Sequence, residues 1–275
     1  MDKLDFFLYN HGYQNDDLRL NFVPEVSPLL HGKLKDECPD HARTCKMRKY
    51  DGCCVPELGR LVFSQFWDKR QPIDAFTIHG LWPSDCRTGY APPTGCRTTN
   101  IRAEDVKTAV YLDSGFKKVM ETYWPTRNAR LWANEWNKHG TCLSTVESRC
   151  YLNDFEWNEM IRYFTVTLSL YTQFDIIQEL STHGVYPGAN YTASDFFHAI
   201  PQWRAGMGLY CTDGELTEIR ISLHGHPKHQ LSLREKASDG SCTGTFYFPS
   251  KSDSPSASRS PSPELNLGVL ERPDL

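Results

Sequence analysis

Leu61-Val62-Phe63-Ser64-Gln65-Phe66-Trp67 is a mostly apolar run of strand length, and it predicts a buried strand. Ala75 to His79 predicts a second strand, ended by Gly80 and Pro83. Arg130 to His139 contains helix formers and neither Pro nor Gly, and Gly140 stands where such a helix would stop. Asp154 to Leu180 is the longest helical pattern, with Phe155, Met160, Ile161, Phe164, Leu168 and Tyr171 near helical spacing. Ser194 to Ile200 predicts a shorter helix before Pro201. Leu209 to Leu223 reads as a hairpin about Asp213-Gly214, and Thr245 to Phe248 as a last strand. Strands, then helices, then strands again predict an α+β fold with a mainly antiparallel central sheet and packed helices. No internal repeat interrupts this order.

The pattern fades at both ends. Residues 1–36 have no clear periodicity and read as a poorly ordered leader. Residues 37–249 form the predicted domain, large enough to bury its own core. Residues 250–275 open with Ser alternating with Pro, Ala and charged residues, and read as a disordered Ser/Pro-rich tail.

Ten cysteines change the picture of where the chain works. They are even in number, spread along the chain and never spaced as Cys-x-x-Cys, which reads as five disulfides made in an oxidising compartment. Spacing alone leaves the pairing open, since even eight cysteines allow about 105 arrangements. The expected location is secreted or vacuolar/lysosomal, although Phe6-Phe7-Leu8-Tyr9 between Asp2 and Asp5 is too short and too acidic for a signal peptide. Asn190-Tyr191-Thr192 is a glycosylation sequon in keeping with that location. There is no apolar run of about 18 residues, so no membrane span is expected. The formal charge is −4, with 30 basic and 34 acidic residues, which is not the footprint of a tight polyanion binder. Protonating all ten histidines would move that count to +6, so acid conditions would suit an anionic substrate better.

Two segments carry candidate chemistry. Phe76-Thr77-Ile78-His79-Gly80-Leu81-Trp82-Pro83 sets a histidine at the end of an apolar strand, with a glycine that permits close approach and a flat ring beyond it. Alone, such a histidine is more often a satisfied core residue. Trp132-Ala133-Asn134-Glu135-Trp136-Asn137-Lys138-His139-Gly140-Thr141-Cys142 sets Glu135 one helical turn from both Lys138 and His139. Alone, that is as readily a surface charge cluster. A zinc-protease motif needs His-Glu-x-x-His, which is absent here. His224, His226 and His229 are a possible metal cluster, but Gly225 and Pro227 suit a solvated loop, and no metal or other cofactor is expected.

Together the two segments resemble the two signature stretches of the T2 family of ribonucleases. Cys53-Cys54, Phe63 to Asp68, Tyr123-Trp124-Pro125 and the Cys211 to Cys242 region are similar too, so the resemblance covers about Cys38 to Phe248. It implies an endoribonuclease that cleaves single-stranded RNA by metal-free acid-base transesterification, through a 2′,3′-cyclic phosphate to 3′-phosphate products. Histidine suits both proton transfers because its ordinary pKa of about 6.5 makes either form accessible. The resemblance assigns His139 as base and His79 as acid, with Lys138 and Glu135 at the phosphate. It implies Trp82 and Tyr90 as base-stacking platforms, with Asp85 beside them, since stacking on aromatic rings is how single strands are held. Ser84 and Asn134 depart from the family, where many members carry an aspartate and a further histidine. The implied disulfides are Cys38–Cys54, Cys45–Cys86, Cys53–Cys150, Cys96–Cys142 and Cys211–Cys242. A monomer is the default. The competing reading is a secreted binding or toxin-like protein on a ribonuclease scaffold.

Overall fold

The computed structural model describes residues 38–45, 51–89, 91–152, 154, 157–234 and 240–251. The leader, Tyr90 and residues 252–275 of the tail lie outside the described residues.

A seven-stranded sheet runs in the order β2 (Thr77–Ser84), β1 (Arg60–Phe66), β5 (Glu215–Gly225), β7 (Thr245–Phe248), β3 (Ala189–Thr192), with β4 (Met207–Thr212) and β6 (Leu231–Leu233) also paired to β5. All pairings are antiparallel except the single β5–β7 bridge at Glu215 and Tyr247. The helices α1 (Ala103–Val110), α2 (Ser114–Tyr123), α3 (Arg130–Lys138), α4 (Asn158–Gln173) and α5 (Ile176–Thr182) fall between β2 and β3, and α6 (Ala193–Ala199) follows β3. The fold is α+β, as expected.

β5 organises the sheet. Thr217, Ile219, Ile221 and Leu223 alternate with Glu218, Arg220, Ser222 and His224, and alternate residues of a strand face opposite ways. Ile219, Ile221 and Leu223 are fully buried with Phe63, Leu81, Tyr163 and Phe164 in the main core. The other row places Glu218 and Arg220 in register with Phe66 and Ser64 of β1, on the face that carries the site.

Two elements differ from the sequence reading. The second strand does not stop at Gly80 but continues to Ser84, because Gly80, Leu81, Trp82 and Pro83 keep pairing with β1. The register shifts there: Ser64 pairs with Gly80 and Gln65 with Ile78, so His79 is the extra residue of a β-bulge. The long pattern of residues 154–180 is two helices, because Phe174 leaves helical geometry and Asp175 starts a new cap, its side chain accepting from the Gln178 amide.

β2 lies at one end of the sheet, and side chains cover its outer edge. Trp124 donates its indole N–H to the His79 carbonyl at 3.1 Å. The Tyr163 hydroxyl donates to the Leu81 carbonyl at 3.0 Å and accepts from its amide at 3.4 Å.

Disulfides join Cys38–Cys54, Cys45–Cys86, Cys53–Cys150, Cys96–Cys142 and Cys211–Cys242. Cys45–Cys86 anchors the chain just beyond β2, and Cys96–Cys142 anchors it just beyond α3. Both segments that carry the candidate chemistry are therefore tied down close to their functional residues.

Candidate active site

His79 projects from the bulge of β2 and is held on three sides. Phe66 stacks on its ring with centroids 3.8 Å apart. Trp82 meets it edge-on at 4.8 Å. Its Nδ1 lies 2.8 Å from Glu218 Oε1. The opposite nitrogen, Nε2, lies 3.9 Å from Glu135 Oε1.

α3 supplies the second group. Its apolar face buries Trp132, Ala133 and Trp136, which brings Glu135 under β2 and sets Lys138 and His139 at the helix end. Glu135 is 5% exposed, and its Oε2 accepts the indole N–H of Trp82 at 2.8 Å. Gly80 makes this approach possible: a Cβ there would sit 1.9 Å from Glu135 Oε2. His139 caps the helix, its amide bonded to the Glu135 carbonyl at 2.9 Å, and its ring lies 5.4 Å from that of Trp82. Trp82 therefore touches both imidazoles. Lys138 and Asn134 are exposed at the rim.

The carboxylates differ sharply in environment. Burial dominates at Glu135, and the hydrogen bond from Trp82 and the charge of Lys138 only partly offset it, so its pKa is pushed up to about 8. Burial also opposes ionisation of Glu218, but hydrogen bonds with His79, Arg220 and Ser64 outweigh it, and its pKa falls to about 2. At His139, burial and then the positive charges of Lys138 and His79 depress the imidazole to about 3. Its Nδ1 is buried and without a hydrogen-bond partner among the described residues. The site thus combines a neutral imidazole, a protonated carboxyl, an imidazole backed by a carboxylate, and a lysine at the rim. That set can move protons between oxygen atoms and neutralise an anion.

The remaining sequence candidates lie apart from this cluster. Asp85 Oδ1 accepts the amides of Arg87 and Thr88 at 3.0 and 2.7 Å, so its carboxylate closes a turn. Ser84 is buried. Asn190 is exposed on β3. The His224–His229 segment is not the solvated loop expected of it. His224 is buried on β5, His226 pairs with Ser232 at 2.8 Å, and His229 packs between Tyr151 and Thr145 at 2.9 and 3.3 Å. The described residues contain no group of His, Cys, Asp or Glu arranged to hold a metal ion.

The sequence reading missed Glu218, Arg220 and Phe66. Arg220 bonds Glu218 Oε2 at 2.7 Å and spreads its guanidinium over Tyr210 at 3.8 Å and Trp82 at 5.0 Å. The signal lay in the polar row of β5, a strand apolar on one face and ionisable on the other.

Two histidine-bearing segments face each other across a tryptophan on an α+β fold, an arrangement able to carry acid-base chemistry, and comparison with known proteins gives the family. The profile of the Ribonuclease T2 family matches residues 43–238. Ribonuclease Rh of Rhizopus niveus is 32% identical over 235 residues, covering 83% of this chain and 99% of that protein. Ribonuclease T2 of Aspergillus oryzae is 32% identical over 227 residues, covering 76% and 81%. The crystal structure of Actibind, described as a T2 ribonuclease, superposes with a TM-score of 0.71 at 25% identity, covering 79% and 98%. The chain belongs to the Ribonuclease T2 family and is a T2-type endoribonuclease.

Proposed function

We propose that the chain cleaves single-stranded RNA in two acid-base steps, with His139 as base and His79 as acid. The observation that carries this reading is the contrast between the two imidazoles flanking Trp82. His139 is largely buried, which keeps its imidazole unprotonated in the resting site, the form a base must start from. His79 has its Nδ1 engaged by Glu218, which leaves Nε2 as the nitrogen facing substrate. His139 takes the proton of the 2′-hydroxyl, whose oxygen attacks phosphorus as the bond to the 5′-oxygen breaks. His79 delivers its Nε2 proton to that leaving oxygen. Water then opens the 2′,3′-cyclic phosphate with the roles exchanged, giving a 3′-phosphate. Lys138 and the protonated Glu135 stabilise the charge that gathers on the non-bridging oxygens, Glu135 by donating rather than repelling. Each proton passes between an imidazole and an oxygen of RNA or water, so the steps balance with these side chains alone. Trp82 and, by resemblance, Tyr90 and Asp85 border the base.

All ten cysteines are paired, and Asn190 presents an exposed sequon. Both support secretion or a vacuolar/lysosomal address. No helix among the described residues is long and apolar enough to cross a membrane. The protein acts as a monomer in this reading.

Release of cyclic nucleotides from homopolymeric RNA at acid pH, with chelator present, tests the proposal. Wild type is expected to release them, and His79→Ala and His139→Ala to lose at least about 10³-fold in rate. A wild type that leaves RNA intact sinks the enzymatic reading in favour of a binding protein on the same scaffold. Full activity in either alanine variant sinks the assignment of roles.

A further inference from the structure

β5 places against His79 an ionisable pair that exchanges no proton with substrate in the proposed reaction. Glu218 is 7% exposed, and its two oxygens have separate duties. Oε1 faces His79 Nδ1 at 2.8 Å and also accepts the Ser64 hydroxyl. Oε2 accepts Arg220 at 2.7 Å. Arg220 is itself braced by the faces of Tyr210 and Trp82. Ser64 and Arg220 stand on neighbouring strands in direct register, so the carboxylate is held from β1 and β5 at once. The imidazole it meets comes from the bulge of β2, at the residue that the pairing with β1 skips.

We propose that Glu218 is a positioning residue for the acid: clamped by Ser64 and Arg220, it holds the Nδ1 proton of His79 so that Nε2 faces the scissile phosphate. The proposal rests on the ribonuclease reading above and adds a positioning residue to it. Without Glu218 the ring can turn about its χ angles or change tautomer, and either removes the donor nitrogen from the leaving oxygen. The proton of Nδ1 stays on His79 throughout. Only the Nε2 proton leaves, and Glu218 remains a carboxylate, as its three hydrogen bonds favour.

The test uses the intact protein and the homopolymer that wild type cleaves fastest. Glu218→Gln keeps the volume and removes the charge. It is expected to lower kcat roughly 10- to 100-fold while KM stays within about twofold. In a His79→Ala background the same substitution is expected to change the residual rate less than about twofold, because residues that act as a unit are not additive. Unchanged kcat in the single variant, or an equal fold loss in both backgrounds, overturns the proposal, the second because it marks a general structural role. Nitrogen NMR of wild type gives an answer even if the variant fails to fold. The neutral His79 ring is expected as the Nδ1–H tautomer with a downfield, exchange-protected proton. The Nε2–H tautomer overturns the proposal. This measurement does not depend on cleavage, so an inactive wild type would refute the ribonuclease reading while leaving the Glu218 contact separately decided.

Discussion

Gly80 and Glu135 show how close contact at single residues sets the chemistry. A methyl group at position 80 would overlap the Glu135 carboxyl, which is fixed by its bond to Trp82. Gly80→Ala is therefore expected to displace Glu135 and Trp82 and lower kcat by at least about 10²-fold, as misplacement of about 1 Å does elsewhere. Retention of near-wild-type kcat would show that the carboxyl can shift at no cost. Glu135 also makes a pH signature. Its carboxyl is raised from 4.5 to about 8, so the folded state keeps a proton that the unfolded chain releases. Stability is then full below about pH 4.5 and falls as pH rises toward 8, by up to about 1.4 kcal/mol per pH unit. Glu135→Gln is expected to remove that slope and to be the more stable protein at pH 7, as thermal melts across pH 4–8 would show. Equal slopes in the two proteins would mean that Glu135 is ionised in the fold.

At the scale of elements, β2 depends on residues that are not strands. Tyr163, from α4, satisfies both backbone groups of Leu81 on the outer edge. Tyr163→Phe leaves those groups unpaired in a buried setting and is expected to cost about 1–3 kcal/mol in urea unfolding. A loss below about 0.5 kcal/mol would mean that another group, or water, takes over the edge. This dependence also marks the limit of what the sequence reveals. β1, the β4–β5 hairpin and α3 were legible because their apolar spacing is local. The true length of β2 was not, because Gly80 and Pro83 resemble strand punctuation and only the pairing with β1 overrides them. The break at Phe174 was hidden for the opposite reason: apolar residues continue across it, and only the Asp175 cap signals the new start. At the site, His79, Glu135, Lys138 and His139 were visible because they sit in two compact motifs. Glu218 lies 139 residues from His79 and shares no motif with it. Only sheet register brings the two together.

Across the whole molecule, crosslinks and charge set the working conditions. Cys96–Cys142 spans 46 residues and holds the end of α3. In the chain-entropy account, closing a loop of that size stabilises by about 4 kcal/mol. The Cys96→Ala, Cys142→Ala double variant is expected to lose about 2–5 kcal/mol by denaturant unfolding, and to lose kcat at temperatures where it stays folded. A variant with wild-type stability would show that α3 is held by packing alone. Charge behaves differently from the count taken along the sequence. A swing to +6 assumes that all ten histidines protonate together. Burial depresses His139 to about 3 and His229 to about 4, so both stay neutral in mild acid and the swing is smaller. Attraction for a polyanion then grows on acidification while the His139 imidazole stays unprotonated.

The alternation along β5 has a consequence for engineering. Ile219, Ile221 and Leu223 fill the interior, whereas Glu218 and Arg220 face His79 and Trp82. One strand thus offers two nearly independent dials. Libraries that vary only positions 218 and 220 would change the surroundings of His79 and Trp82 with the buried row left untouched. Libraries that vary only positions 219, 221 and 223 would explore heat tolerance with Glu218 and Arg220 left in place.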